Sequence, residues 1–106
     1  MHGRHRHLIA AGLALPLAFL APALARADAA TGARLAERWC ASCHVIGNTP
    51  PARVQVGPPS FPAIAKGKLT AAQLRAFLTK PHGAMPDLSL TRAEISDLVA
   101  YIESLR

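Results

Sequence analysis

Cysteine is almost missing from this chain of 106 residues, which has only Cys40 and Cys43. That number rules out a disulfide framework of several bridges, and a single bridge between residues three apart closes too small a loop to staple much. Strand-like alternation and internal repeats are absent as well. Aromatic residues make up 5% and charged residues 17% of the chain. Nowhere do basic side chains gather with aromatics between them, so a nucleic-acid surface is excluded despite a net charge of +6 and a pI near 10.4.

Part of that positive charge belongs to the opening stretch. Met1 to His7 carry Arg4 and Arg6, and an apolar run then extends from Leu8 to about Leu24. A basic start, an apolar middle and the small residues of Ala25-Arg26-Ala27 are the parts of an export signal cleaved after Ala27. Arg4 and Arg6 are not adjacent, so a twin-arginine signal is not indicated. Pro16 and Pro22 interrupt the run, which argues against a retained membrane-spanning helix. The expected division is therefore a signal peptide over 1–27 and one domain over 28–106, exported to the periplasm. Beyond Ala27 nine Lys and Arg face six Asp and Glu, a formal charge of +3.

The two cysteines belong to Cys40-Ala41-Ser42-Cys43-His44. In the C-x-x-C-H pattern two thiols on one helical turn reach the two vinyl groups of a single porphyrin, and the following imidazole is presented to its iron. A redox dithiol would need a βαβ setting that is not found here. A zinc site built from Cys40, Cys43, His44 and His82 would need adjacent residues to converge on one small tetrahedral ion. One covalently attached haem c is the reading that uses all three motif residues without that convergence. Removing 27 residues from 106 leaves 79, too few to build a generous core, so folding and haem attachment are expected to be one event.

The remaining pattern is helical. Helix formers dominate Ala30 to Cys43, with Asp28 or Thr31 as cap and Gly32, Ala36 and Trp39 or Cys40 at helical spacing. Gly32 inside a helix invites close approach by another helix. A loop rich in Pro and Gly follows from His44 to Phe61, with the Pro58 carbonyl as candidate partner of the His44 ring and Arg53 as candidate partner of a propionate. A short turn is expected over Ser60 to Lys66. Thr70 with Gln73, and Thr91 with Glu94, have the spacing of capping boxes, and Leu69 with Leu74 and Leu90 with Ile95 form hydrophobic staples. Ile95, Leu98, Val99, Ile102 and Leu105 lie on one face of a terminal helix, with Tyr101 beside them.

Between the last two helices lies Pro81-His82-Gly83-Ala84-Met85-Pro86. Met85 is the sole methionine after residue 27, and a loop bounded by Gly and Pro offers it no regular face to pack on. Its sulfur is a candidate sixth ligand opposite His44, and His82 is the rival, since only one of the two can sit over the iron.

In order and spacing these features resemble the small monohaem class I cytochromes c of bacteria, over nearly all of residues 28–106. The resemblance implies an all-α cytochrome c fold of three to four short helices around one haem c. It implies covalent attachment at Cys40 and Cys43, and His44 and Met85 as axial ligands. It also implies that the first and last helices cross at Gly32 and Tyr101. The function implied is electron transfer, one electron at a time, with no catalysis. Redox proteins are the expected partners, docking transiently at the haem edge, with membrane contact only through partner complexes. Either a monomer or a small heterodimer is compatible, and the alternative role is a haem c subunit of a dehydrogenase or oxidase.

Overall fold

Asp28 begins the first helix. Its carboxylate accepts hydrogen bonds from the Ala30 and Thr31 amides at 3.1 and 3.3 Å, so the donors left open by the first turn are satisfied. The computed structural model describes residues 11–16, 18, 26–49, 57–80 and 82–106. Among these residues there are four helices and no strand: α1, Ala29–Trp39; α2, Phe61–Lys66; α3, Ala71–Thr79; and α4, Arg92–Ser104. None of them is long and apolar enough to cross a membrane.

The helix starts follow the side-chain chemistry that the spacing predicts. Thr70 accepts from the Gln73 amide at 3.2 Å while Gln73 accepts from the Thr70 amide at 2.8 Å. Thr91 and Glu94 make the same reciprocal pair at 3.1 and 2.7 Å. Leu74 and Ile95 are buried, with Leu69 and Leu90 packed against the core beside them. Ser60 caps α2 through the Ala63 amide at 3.2 Å.

One departure concerns the end of α1. The predicted helix runs to Cys43, but the regular helix stops at Trp39 and a hydrogen-bonded turn carries the motif. The Ala36 carbonyl accepts from both Cys40 and Ala41, at 2.8 and 3.0 Å, and this doubling breaks the regular ladder. The buried stripe of α1 is therefore Gly32, Ala36 and Cys40, while Trp39 is 49% exposed.

Helix α4 packs against α1, α2 and α3. It buries Ile95, Leu98, Val99 and Ile102, each stabilising the fold by roughly 1.5–3 kcal/mol through removal of apolar surface from water. Its crossing with α1 depends on Gly32. A β-carbon added there would lie 2.0 Å from the Asp97 carbonyl oxygen and 2.8 Å from Tyr101 Cβ, so only a hydrogen fits between the two backbones.

Candidate haem site

The turn after α1 positions the motif. The Cys43 and His44 amides both donate to the Cys40 carbonyl, at 3.1 and 2.9 Å, so the turn keeps helical hydrogen bonding past the end of the regular helix. Cys40 is buried and Cys43 exposed, and neither is in a disulfide. Burial pushes the Cys40 thiol up from its ordinary value of 9.0. Joined in a thioether, that sulfur would have no charged form and its buried position would carry no ionisation cost.

His44 is held from several sides. Its Nδ1 lies 2.8 Å from the Pro59 carbonyl oxygen, which can only accept, so Nδ1 carries a proton and, in the neutral ring, the lone pair is on Nε2. The carbonyl is that of Pro59 and not of Pro58, the candidate from sequence. The correction is one residue and has a visible cause. The Phe61 amide donates to the Val45 carbonyl at 2.9 Å, and this bond sets the register in which the Pro58-Pro59 segment passes the ring. Phe61, buried in the core, lies 5.4 Å from the His44 ring and 6.3 Å from Tyr101. The Tyr101 hydroxyl in turn donates to the Ile46 carbonyl at 2.6 Å, which joins α4 to the chain just beyond the motif. Desolvation, then the Glu37 charge, push the Tyr101 hydroxyl up from 10.0 and keep it a donor.

Cys40, Cys43, His44 and Met85 all line one cavity of about 610 Å³. That volume is within the ~300–1,000 Å³ usual for cofactor pockets. Ser42 and His82 also line the cavity, and the rest of the wall is apolar and is drawn from all four helices and the loops between them, including Leu69, Leu74, Leu78 and Ile102. Among the described residues of the domain, the large exposed apolar side chains Trp39 and Phe77, at 49% and 46%, both line it too. A flat apolar group in the cavity would cover them, so the wall suits a porphyrin in shape and in chemistry. Among the described residues no group of three or more His, Cys, Asp or Glu could hold a bare metal ion. His82, the fourth member of the zinc set considered above, bonds instead to the Phe77 carbonyl through Nδ1 at 3.1 Å. Arg53, the propionate candidate, lies outside the described residues.

Met85 sits in a turn, its amide donating to the His82 carbonyl at 3.0 Å, with Gly83 at φ +53 where L side chains rarely go. Pro86 and Leu88 continue the wall. Ser89 then adopts φ +50, and its amide donates at 2.8 Å to the Asp87 carboxylate, which turns the chain towards α4. Sequence reading missed this turn, although an Asp two residues before a Ser is a signal for it. It also passed over Phe61, whose contact with the His44 ring depends on the tertiary fold.

Comparison with known proteins agrees with the geometry. Residues 27–102 match the family described as cytochrome c oxidase, cbb3-type, subunit III. The chain is also similar to cytochrome c-552 of Bradyrhizobium diazoefficiens, 43% identical over 103 residues, covering 96% of this chain and 98% of that protein. No solved structure gives a significant match. With the motif at the cavity wall and both comparisons spanning it, the chain belongs to the cytochrome c family, as a small bacterial class I cytochrome c that holds haem c covalently and transfers electrons.

Proposed function

We propose that Cys40 and Cys43 form the thioether links, that His44 and Met85 are the axial ligands, and that the protein is an exported carrier moving one electron at a time between redox proteins. The observation that carries this reading is the shared cavity: both cysteines and the oriented His44 ring line it together with Met85, which arrives from a different loop. Bound haem supplies the one-electron couple at its iron. His44 contributes a lone pair whose direction is set by Nδ1–H donating to Pro59, a bond that also makes the ring more basic. Met85 contributes a soft, uncharged sulfur, which favours the reduced state and raises the potential. The apolar wall keeps water away. With His44 and Met85 both holding the iron, no position would be left for a substrate, and electrons would be the only cargo of a protein that catalyses no reaction of its own. Docking needs only a small interface, below about 1,200 Å², which allows fast release.

Processing after Ala27 is part of the same reading. The family match begins at residue 27, one residue before the α1 cap. Leu13 and Leu15 in the leader are 89% and 77% exposed and add nothing to the core. The Asp28 nitrogen lies 2.7 Å from an Asp97 carboxylate oxygen, so cleavage would convert an amide-to-carboxylate hydrogen bond into an ion pair between the new amino terminus and α4. The intact mass of the exported protein, taken with its absorption spectrum, tests all of this. A mass matching residues 28–106 plus one haem, with a low-spin spectrum, is the expected result; colourless protein with free thiols overturns it.

The description of the matched family favours a second reading, a haem c subunit of an oxidase. Gel filtration of gently extracted native material separates the two. A free carrier elutes at the size of one small domain, whereas a subunit travels with its complex.

A further inference from the structure

The loop that carries Met85 is anchored by a residue to which the electron-transfer reading assigns no part. His82 holds it at two points. Its backbone carbonyl accepts from the Met85 amide at 3.0 Å, closing the turn over Gly83 and Ala84. Its ring reaches back to α3, where Nδ1 lies 3.1 Å from the Phe77 carbonyl oxygen and the ring meets Phe77 edge-on, with centroids 5.1 Å apart at 76°.

The chemistry of this contact is one-directional. A carbonyl oxygen can only accept, so Nδ1 must carry the proton, in the neutral ring as in the charged one. The accepting carbonyl belongs to the last turn of α3, where backbone oxygens lack partners within the helix. The bond thus caps a helix and ties down a loop together. Phe77, at 46% exposure, keeps one face for this ring while it lines the cavity. The arrangement repeats that of His44, whose Nδ1 is bound to the Pro59 carbonyl.

We propose that His82 is a positioning residue for Met85, its ring and carbonyl together fastening the sulfur-bearing turn to the end of α3 so that the thioether stays over the metal. This rests on Met85 being the sixth ligand. Gly83 at φ +53, with nothing within 4 Å of its missing β-carbon, gives the turn little support of its own. Without the His82 anchor the turn opens more readily and a small ligand competes better for the iron.

The test uses ferric holoprotein in three forms: wild type, His82→Ala and His82→Asn. Two quantities are read, the affinity for added imidazole and the intensity of the weak long-wavelength charge-transfer band given by Met-ligated ferric haem. His82→Ala is expected to bind imidazole about fivefold more tightly, the factor set by one ordinary hydrogen bond, with a weakened band. His82→Asn keeps an N–H donor the same number of bonds from the backbone and is expected to restore wild-type values to within about twofold. Wild-type behaviour in His82→Ala, or an Asn variant no better than Ala, overturns the proposal while leaving Met85 ligation intact. A wild-type spectrum without the band overturns the ligand assignment and this proposal with it. Should His82→Ala give no holoprotein, His82→Leu keeps an apolar side chain beside Phe77 but has no N–H for the Phe77 carbonyl. Tighter imidazole binding than in His82→Asn then supports the anchor, and binding equal to that of His82→Asn overturns it.

Discussion

At the scale of single residues, the two proposed ligands differ in what their loss should do. Met85→Ala should keep the haem attached but lower the reduction potential and admit external ligands; an unchanged potential in a redox titration would count against sulfur ligation. His44→Ala should block normal maturation, because the imidazole that the motif presents is gone; ordinary yields of a folded low-spin protein would contradict its role. Tyr101→Phe removes the 2.6 Å bond to the Ile46 carbonyl and leaves a partly buried acceptor without its partner. A loss of about 1 kcal/mol in chemical denaturation is expected, with the spectrum unchanged. Asp28 adds a pH dependence. The Thr31 hydroxyl, then the Ala30 amide, hold its carboxyl below the ordinary value of 3.8. A lowered folded-state value means that the stabilisation is complete above the unfolded-state value and is lost as pH falls through the folded one. Asp28→Ala should therefore melt below wild type at neutral pH and approach it in acid.

At the scale of elements, the crossing of α1 and α4 is the contact with least tolerance. Gly32→Ala would place a methyl group 2.0 Å from the Asp97 carbonyl oxygen, and backbone cannot rotate away as a side chain can. The helices must separate, and a loss of about 3 kcal/mol, near the top of the range for overpacking, is expected in denaturant unfolding. Stability equal to wild type would mean that the crossing is looser than described. The crossing also has consequences for the site, since Tyr101, which packs on Gly32, reaches Ile46 and Phe61 and through them the His44 ring. The capping boxes at Thr70 and Thr91 were legible from spacing because the bonds they make are local, within three residues. The end of α1 was not, because Cys40 to Cys43 are compatible with helix and the doubled bond at Ala36 decides otherwise.

At the scale of the whole molecule, three of the four helices close against α4 around a cavity of about 610 Å³ that takes the middle of a very small domain. A ligand bound there and not in the unfolded chain stabilises the fold by mass action, and a covalent one cannot leave. Chain produced without haem attachment should lose its cooperative thermal transition, as followed by circular dichroism; a sharp transition in such material would show that the protein core suffices. The motif, the candidate sulfur, the helix starts and the apolar face of α4 could all be read directly along the chain, since covalent chemistry, capping and periodicity each act over a few neighbouring residues. Tertiary structure alone decided which proline carbonyl meets the His44 ring, that Gly32 faces the Asp97 backbone, that Phe61 joins His44 to Tyr101, and that His82 turns back to α3. Those contacts join residues whose relative placement depends on how the helices pack, and packing is a property of the whole set of side chains, which no local pattern contains.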